Sequence, residues 1–287
     1  MSTLTFTTIQ PDLQWEDKAA NLQNLEEKIL GIREKTELVI LPEMFSTGFS
    51  MKPEALAERM DGPTMGWMKR TAAQKGIILT GSLIIEEAGK YFNRLIWMLP
   101  NGQYGCYDKR HRFAYAGEHD HYTAGQKRLI ASVKGWRVNL QVCYDLRFPV
   151  WSRQSNPPSI PGGDGSGVPG IPGGQMHPGG SRTAPEYDVL IYVANWPERR
   201  AHAWKTLLQA RAIENQSYTV GVNRVGNDGN NIYHSGDSMI VDPLGEVLYQ
   251  GSKKEDVYTH TLEKERLEEV RSRFPFWKDG DAFSIEP

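Results

Sequence analysis

The chain has 287 residues, of which 39% are hydrophobic and 24% are charged, and its formal net charge is −2. These values are typical of a globular protein and exclude a disordered, collagen-like or coiled-coil chain. No basic block occurs, and no apolar run approaches the ~20 residues of a membrane helix. We therefore expect neither nucleic acid nor a membrane as a partner.

Candidate strands and helices alternate along the chain. Short apolar, β-branched runs predict buried strands, and apolar residues at helical spacing predict helices. The predicted elements are, in order, 4–6 (strand), 19–32 (helix), 38–41 (strand), 63–75 (helix), 77–85, 95–99, 104–107 and 138–142 (strands), 148–153 (helix), 188–194 (strand), 203–217 (helix), 218–222 (strand), 237–248 (hairpin) and 262–273 (helix). This alternation predicts an α/β fold with mixed sheets covered by helices.

The cysteine content bears on the cellular compartment. Cys106 and Cys143 are the two cysteines in the chain, which is too few for a disulfide framework. The first ten residues lack the cationic and apolar regions of a signal peptide. We therefore expect a cytoplasmic location, where thiols stay reduced.

Residues 157–185 depart from the ordinary composition of the rest of the chain. They hold seven of the 17 prolines and nine of the 28 glycines, with no aromatic residue and no lysine. Because strands and helices alternate on both sides, we predict a loop insertion within a single domain spanning 1–287. A strand–helix–strand crossover places such a loop at the sheet edge opposite Cys143, and a lid over the site is the alternative.

Three reactive side chains each follow a predicted strand, where α/β sheets place active sites. A carboxylate at Glu43 is partly removed from water there, which suits a general base. The ammonium of Lys109 is suited to stabilise an oxyanion. Cys143 lies at a predicted strand-to-helix turn, where backbone N–H groups lower the pKa of a thiol and bind an oxyanion.

Each of these residues also has an ordinary structural interpretation. Glu43 would be a capping carboxylate, Lys109 a solvated surface charge and Cys143 a small buried apolar residue. We interpret Cys106 as a packing residue, because it has no such context. The segment 118–121 (EHDH) offers four metal-ligand types, but adjacent residues rarely converge on one ion and no HExxH pattern occurs. We predict no metal site, and a metallohydrolase or a non-enzymatic binding protein are the rival classes.

The order and surroundings of these side chains resemble the nitrilase superfamily of carbon–nitrogen hydrolases. The resemblance extends from the first strand to near residue 275, and within the superfamily it points to bacterial ω-amidases of the 2-oxoglutaramate amidase type. The matching segments are LPEMFSTGF (41–49), YDKRHRF (107–113), VCYDLRFPVWSR (142–153), YVANWPERRAHAW (192–204), LLQARAIENQSYTVGVNRVGNDGN (207–230) and GDSMIVDPLGE (236–246).

The resemblance implies a role for each matching residue. Glu43 corresponds to the general base of the catalytic triad, Lys109 to its lysine and Cys143 to its nucleophile. Glu118 corresponds to a second active-site glutamate. Lys109 and the backbone N–H of Tyr144 correspond to the oxyanion donors.

The resemblance also implies a substrate and no cofactor. The expected reaction hydrolyses the ω-amide of 2-oxo dicarboxylate monoamides, 2-oxoglutaramate and 2-oxosuccinamate, to the acid and ammonia through a Cys143 thioester. Arg147 is a candidate to bind the substrate carboxylate, and pairing with Asp145 is its alternative role. Phe45, Asn195 and Trp196 are candidate pocket residues, with packing as the alternative. Nitrile and N-carbamoyl-amine hydrolases use the same triad and remain alternatives.

The fold that the resemblance implies is a four-layer α-β-β-α sandwich. Members of the superfamily associate through a helical face. A homodimer is therefore the expected assembly.

Overall fold

The structure is a computed structural model that describes residues 2–154, 185–281 and 283–285. Thirteen strands and seven α-helices occur within these residues. The strands are β1 (Thr3–Gln10), β2 (Leu38–Ile40), β3 (Ile78–Glu87), β4 (Lys90–Met98), β5 (Tyr104–Asp108), β6 (Leu129–Val133), β7 (Trp136–Val142), β8 (Val189–Val193), β9 (Tyr218–Val222), β10 (Val225–Asn227), β11 (Tyr233–Val241), β12 (Val247–Ser252) and β13 (Asp256–Glu263). The helices are α1 (Lys18–Leu30), α2 (Pro53–Leu56), α3 (Pro63–Lys75), α4 (Glu118–His121), α5 (Pro149–Ser152), α6 (Ala201–Asn215) and α7 (Lys264–Arg273).

The strands form two mixed sheets. The first has the order β13-β1-β2-β3-β4-β5, and β1, β2 and β3 run parallel within it. The second has the order β10-β11-β9-β8-β7-β6, with β12 also paired to β11, and β7, β8 and β9 run parallel. Both sheets therefore have an edge at which neighbouring parallel strands all end.

The outer face of the first sheet is covered by α1 and α3. The Asp17 side chain caps α1 by accepting a hydrogen bond from the backbone N–H of Ala20 at 3.0 Å. Leu25 and Ile29 project one turn apart from α1 into the core that α3 and the sheet share. Helix α3 ends at Gly76, whose φ of 69° is the left-handed conformation that glycine adopts at low cost.

The outer face of the second sheet is covered by α6. Trp204 and Leu208 of this helix pack on β9 at Gly221. A Cβ atom at Gly221 would lie 2.5 Å from Leu208 and 2.6 Å from Trp204, so glycine here allows the helix to approach the sheet closely. The inner faces of the two sheets share one continuous apolar core. The expected four-layer α-β-β-α sandwich is confirmed.

The structure corrects two predicted helices and adds strands. Residues 262–263 end β13, and the helix starts at Lys264. Strand β13 was not predicted, because it is rich in polar residues and pairs with β1 at the other end of the chain. The segment 148–153 contains the four-residue α5 in place of a longer helix, and a 3₁₀ turn at Cys143–Arg147 precedes it. The hairpin predicted for 237–248 is formed by β11 and β12.

The position predicted for the insertion 157–185 lies outside the described residues, except Pro185. The described flanks are close together: the backbone N–H of Tyr187 donates to the Gln154 side chain at 3.4 Å. Tyr187 precedes β8, whereas Cys143 follows the parallel strand β7. The described residues on both sides of the segment 157–185 thus lie at the edge of the second sheet opposite Cys143.

Asp188, just before β8, is a buried anchor for α7. Its carboxylate accepts from Lys264 at 2.6 Å, from Arg271 at 2.9 Å and from Arg137 at 3.1 Å. Burial by itself raises the pKa of Asp188, but the hydrogen bonds from Arg137 and Lys264 outweigh it and lower the pKa from 3.8 to about 2. The ionised carboxylate therefore joins the C-terminal helix to the second sheet.

We expect Asp188→Asn to lower the free energy of unfolding near neutral pH by about 3–5 kcal/mol, because three cations lose their carboxylate. Since the folded-state pKa is depressed, this stabilisation is complete above the unfolded pKa and is lost as pH falls toward about 2. Urea unfolding of wild type and variant between neutral and acidic pH measures this. The exposed Asp61→Asn variant is the control, and a difference independent of pH would contradict the assignment.

Candidate active site

Four side chains meet at the edge where the parallel strands end. Glu43 follows β2 and Lys109 follows β5 of the first sheet, while Cys143 follows β7 and Asn195 follows β8 of the second. All four are buried. The structure thus brings the three predicted reactive residues together at the seam between the two sheets.

The Glu43 carboxylate is surrounded by hydrogen-bond donors. Its Oε1 atom accepts from Lys109 Nζ at 2.9 Å and from Asn93 Nδ2 at 2.8 Å. Its Oε2 atom accepts from the backbone N–H of Asn195 at 2.9 Å, and the Asn195 side-chain amide donates to the Glu43 carbonyl oxygen. The Cys143 thiol is close enough to this carboxylate for the charge of Glu43 to raise the thiol pKa. Glu43 is therefore positioned as a candidate base for Cys143.

Lys109 lies between two carboxylates. Besides Glu43, it contacts both carboxylate oxygens of Glu118, at 3.0 and 2.8 Å. Burial by itself lowers the pKa of Lys109, but the charges of Glu118 and Glu43 outweigh it and hold the pKa above its ordinary value. Burial and the nearby charge of Glu43 raise the pKa of Glu118, although Lys109 opposes them. The ammonium is therefore permanent, and it is the shared counter-ion of the two acids.

Cys143 lies at a strained turn. Its φ of 46° is a left-handed conformation that few side chains adopt. The buried carboxylate of Asp145 fixes the turn, accepting from the Val142 N–H at 3.1 Å, the Tyr107 hydroxyl at 2.7 Å and the His111 N–H at 2.9 Å. The strained turn that carries Cys143 is thus held by three hydrogen bonds to one buried carboxylate.

The expectation that this turn lowers the pKa of the Cys143 thiol is wrong. Burial and the charge of Glu43 raise the pKa well above its ordinary value, although Lys109 opposes them. The negative charge across the seam and the burial of the thiol outweigh the backbone dipoles of a turn only five residues long. The Cys143 thiol is therefore neutral at rest, and it would need a base to act as a nucleophile.

A cavity of about 250 Å³ opens onto Cys143 and Tyr144. Tyr144 is the second residue of the 3₁₀ turn, and a backbone N–H at the start of a helical turn has no partner within that turn. Such a group beside the nucleophile is suited to bind an oxyanion. The cavity therefore exposes both a nucleophile and a candidate oxyanion donor.

The cavity wall is rich in positive charge. Arg147, Arg199 and Arg200 line it, and Asp228 is the one acidic side chain among the described residues of the lining. Burial lowers the pKa of Arg200, and repulsion from Arg199 and Arg147 lowers it further. Like charges brought this close favour an anionic ligand, because an anion relieves their repulsion.

Three of the four proposed pocket residues line this cavity. Arg147 stacks over the Trp196 ring at 5.1 Å, and Asn195 lies beside them. The alternative pairing of Arg147 with Asp145 is not formed, because Asp145 binds Tyr107, His111 and the backbone before Cys143.

The proposal that Phe45 lines the pocket is wrong. Its fully buried ring packs in the core under α3, with its centroid 5.8 Å from that of Trp67.

Several site residues had no role assigned from the sequence. Arg199 and Arg200 follow the predicted pocket residues Asn195 and Trp196 by only a few positions. This short separation in the sequence could have indicated that they also line the pocket. Asn93 lies inside β4 and His234 inside β11, with no motif to distinguish them from other strand residues.

The segment 118–121 does not form a metal centre. Glu118 is buried against Lys109, whereas the side chains of His119 and Asp120 are 48% and 68% exposed. Within the described ranges, no group of His, Cys, Asp and Glu side chains is arranged to hold a metal ion. None of the described helices combines the length and apolarity needed to cross a bilayer.

Comparison with known proteins agrees with this geometry. The carbon–nitrogen hydrolase family model matches residues 5–158 and 177–272. The chain is 37% identical to omega-amidase YafV of Escherichia coli K12 over 286 residues, covering 99% of this chain and all of that protein. It is 28% identical to 2-oxoglutaramate amidase of Bacillus subtilis, covering 96% of each.

Solved structures give the same result. A CN-hydrolase superfamily protein of Xanthomonas campestris, crystallised with an arsenic adduct in its active site, superposes with a TM-score of 0.89 at 41% identity, covering all of both chains. Nit3 of Saccharomyces cerevisiae, of the nitrilase superfamily, superposes with a TM-score of 0.77 at 22% identity, covering 96% of this chain and 95% of Nit3. The buried Glu43, Lys109 and Cys143 at the sheet seam are thus part of an enzyme that belongs to the carbon–nitrogen hydrolase family.

Proposed function

We propose that this enzyme is an ω-amidase that hydrolyses 2-oxoglutaramate and 2-oxosuccinamate to the acid and ammonia. The observation that carries the proposal is the arginine-lined cavity opening onto Cys143. A substrate with a carboxylate at one end and an amide at the other would place the carboxylate among the arginines and the amide at the thiol. The names of the relatives in E. coli and B. subtilis support the same substrate class.

Acylation begins with proton transfer from the Cys143 thiol to the neighbouring Glu43 carboxylate. The sulfur attacks the amide carbonyl carbon, and the carbonyl oxygen becomes an oxyanion. Protonation of Glu43 neutralises one of the two carboxylates that hold Lys109, which frees the ammonium to stabilise the oxyanion together with the Tyr144 N–H. Glu43 then returns the proton to the amide nitrogen, and ammonia leaves a Cys143 thioester.

Hydrolysis uses the same groups a second time. Glu43 takes a proton from water, whose oxygen attacks the thioester carbonyl, and Lys109 and Tyr144 again stabilise the oxyanion. The carbon–sulfur bond breaks, and the proton on Glu43 returns to the sulfur as the acid is released. Glu118 stays ionised and holds Lys109 in place through both half-reactions. Glu43 thus carries each proton between sulfur, amide nitrogen and water, while Lys109 and the Tyr144 N–H stabilise both oxyanions.

We also propose that the enzyme is a homodimer assembled through a helical face. Val150 on α5 and Ile213 on α6 are each 54% exposed, and Phe276 is 63% exposed. Their surroundings adjoin, because Arg153 donates to the Glu214 carbonyl and Gln216 donates to the Phe274 carbonyl at 2.6 Å. Exposed apolar side chains from neighbouring segments are suited to association of two copies.

We expect kcat/KM to be highest for 2-oxoglutaramate and 2-oxosuccinamate in a panel that includes an N-carbamoyl β-amino acid and a simple nitrile. Steady-state ammonia release measures this. Cys143→Ser should lower turnover of the best substrate by about 10³-fold or more at unchanged fold. A nitrile or carbamoyl substrate that exceeds both oxo-amides would contradict the proposed function.

Arg147 should recognise the substrate carboxylate. We expect Arg147→Met to raise KM for 2-oxoglutaramate by about ten- to a hundredfold, because a hydrogen bond to a charged group contributes about 1.5–3 kcal/mol. A neutral amide of similar length should keep its kcat/KM within about threefold, since it has no carboxylate to lose. Exposed Arg273→Met is the matched control, and an equal loss on both amides would argue against this role.

Cys143 should be protonated in the resting enzyme, since burial and Glu43 raise the pKa of its thiol. The thiolate absorbance in the far ultraviolet, taken as the difference between wild type and Cys143→Ser, should be absent at about pH 7. Glu43→Gln removes the nearby negative charge and should make the thiolate appear at lower pH. A thiolate in the neutral wild-type enzyme, or no shift in the variant, would disprove this account.

A further inference from the structure

Asn93 contacts both buried carboxylates of the site. Its Nδ2 atom lies 2.8 Å from Glu43 Oε1 and 3.3 Å from Glu118 Oε1. Its backbone is also tied to the site, because the carbonyl oxygen of Asn93 accepts from the Lys109 N–H at 3.0 Å. Asn93 is 1% exposed and lies inside β4. The amide group is therefore fixed between the two acids, behind the cavity wall.

The two acids share one cation, so the cluster carries excess negative charge. Lys109 neutralises one of the two charges, and the other is left in a buried site. Two carboxylates in such a position tend to take up a proton, which would remove the base that the reaction requires. A second donor shared by both carboxylates favours their ionised forms. Asn93 supplies that donor without adding another charge.

The carbonyl end of the Asn93 side chain, in contrast, lies in an unfavourable environment. Its Oδ1 atom is buried and has no hydrogen-bond partner within the described part of the chain. An unpaired buried acceptor is destabilising, so an apolar side chain of similar volume would suit a packing role better. The hydrogen bonds from Nδ2 to Glu43 and Glu118 are therefore the contacts that favour asparagine at this position.

We propose that Asn93 is a positioning residue that stabilises the negative charge of the Glu43–Glu118 pair and keeps Glu43 directed toward Cys143, a role that rests on the proposed amidase function. The titratable groups around Glu43 are Lys109 after β5, Glu118 and Tyr122 in and after α4, and Cys143 after β7. Asn93, in β4, is an uncharged hydrogen-bond donor beside these groups. Its loss leaves Lys109 as the sole side-chain donor to Glu43 Oε1 among the described residues.

Asn93→Leu removes the donor at similar volume, and Asn93→Asp replaces it at the same shape with a third carboxylate. We expect the acidic limb of the kcat/KM profile for 2-oxoglutaramate to move up by about one pH unit in Asn93→Leu, since a lost hydrogen bond of about 1–1.5 kcal/mol equals about one pKa unit. In Asn93→Asp the shift should be larger. KM should stay within about twofold, because Asn93 lies behind the cavity wall, and kcat should carry the loss.

The matched control is Asn139→Leu. Asn139 is a buried strand asparagine whose two side-chain polar atoms have no partner among the described residues, and it has no hydrogen bond to the catalytic carboxylates there. Its variant should leave the pH profile unchanged. If Asn93→Leu fails to fold, as thermal unfolding would show, Asn93→Asp carries the test. A pH profile that both Asn93 variants share with wild type would overturn the proposal.

A second readout separates this proposal from the proposed function. The rate of Cys143 alkylation by iodoacetamide depends on Glu43 as base and needs no amide turnover. Its acidic limb should move up in Asn93→Leu and not in Asn139→Leu. If no amide is hydrolysed by wild type but this limb moves, the amidase proposal fails and the role of Asn93 stands. If amides are hydrolysed and the limb does not move, the role of Asn93 fails.

Discussion

The site depends on one buried ion cluster, Lys109 between the carboxylates of Glu43 and Glu118. Removing three charges from water is unfavourable, and the interior compensates only if every lone pair finds a donor. Here the donors are Asn93, the N–H of Asn195 and the N–H of Phe113. The positions of these donors follow from the strand ends, so the fold and the cluster support each other.

The sheet topology explains why these groups meet. Glu43 and Lys109 follow strands of one sheet, and Cys143 and Asn195 follow parallel strands of the facing sheet. Two sheets packed face to face place their strand ends side by side at the seam. The proposed base, Glu43, and the proposed nucleophile, Cys143, thus come from different sheets, so any change in how the sheets pack alters the distance between them. This constraint accounts for rigid supports such as Asp145, which fixes the Cys143 turn from three directions.

The sequence predicts the parts of the site that depend on local order. Glu43, Lys109 and Cys143 each follow a predicted strand, and that pattern predicts that they lie where α/β sheets place active sites. The direction of the Cys143 pKa shift could not be obtained in this way, because it depends on Glu43, one hundred positions earlier in the chain. Phe45 was misplaced for a related reason: it follows Glu43 closely, but the chain turns at Met44, whose φ is 42°, and its ring enters the core. Asn93 and β13 depend on cross-strand partners that no local pattern identifies.

Covalent catalysis by Cys143 with Glu43 as its base is the central claim of this account. It is tested most directly by mass spectrometry of enzyme quenched during turnover of 2-oxoglutaramate. We expect an acyl group on the peptide that contains Cys143 in the wild type and none in Glu43→Gln, because without the base no group takes up the thiol proton and passes it to the departing amide nitrogen. Turnover in the wild type without an adduct on that peptide, or undiminished acylation in Glu43→Gln, would contradict the account.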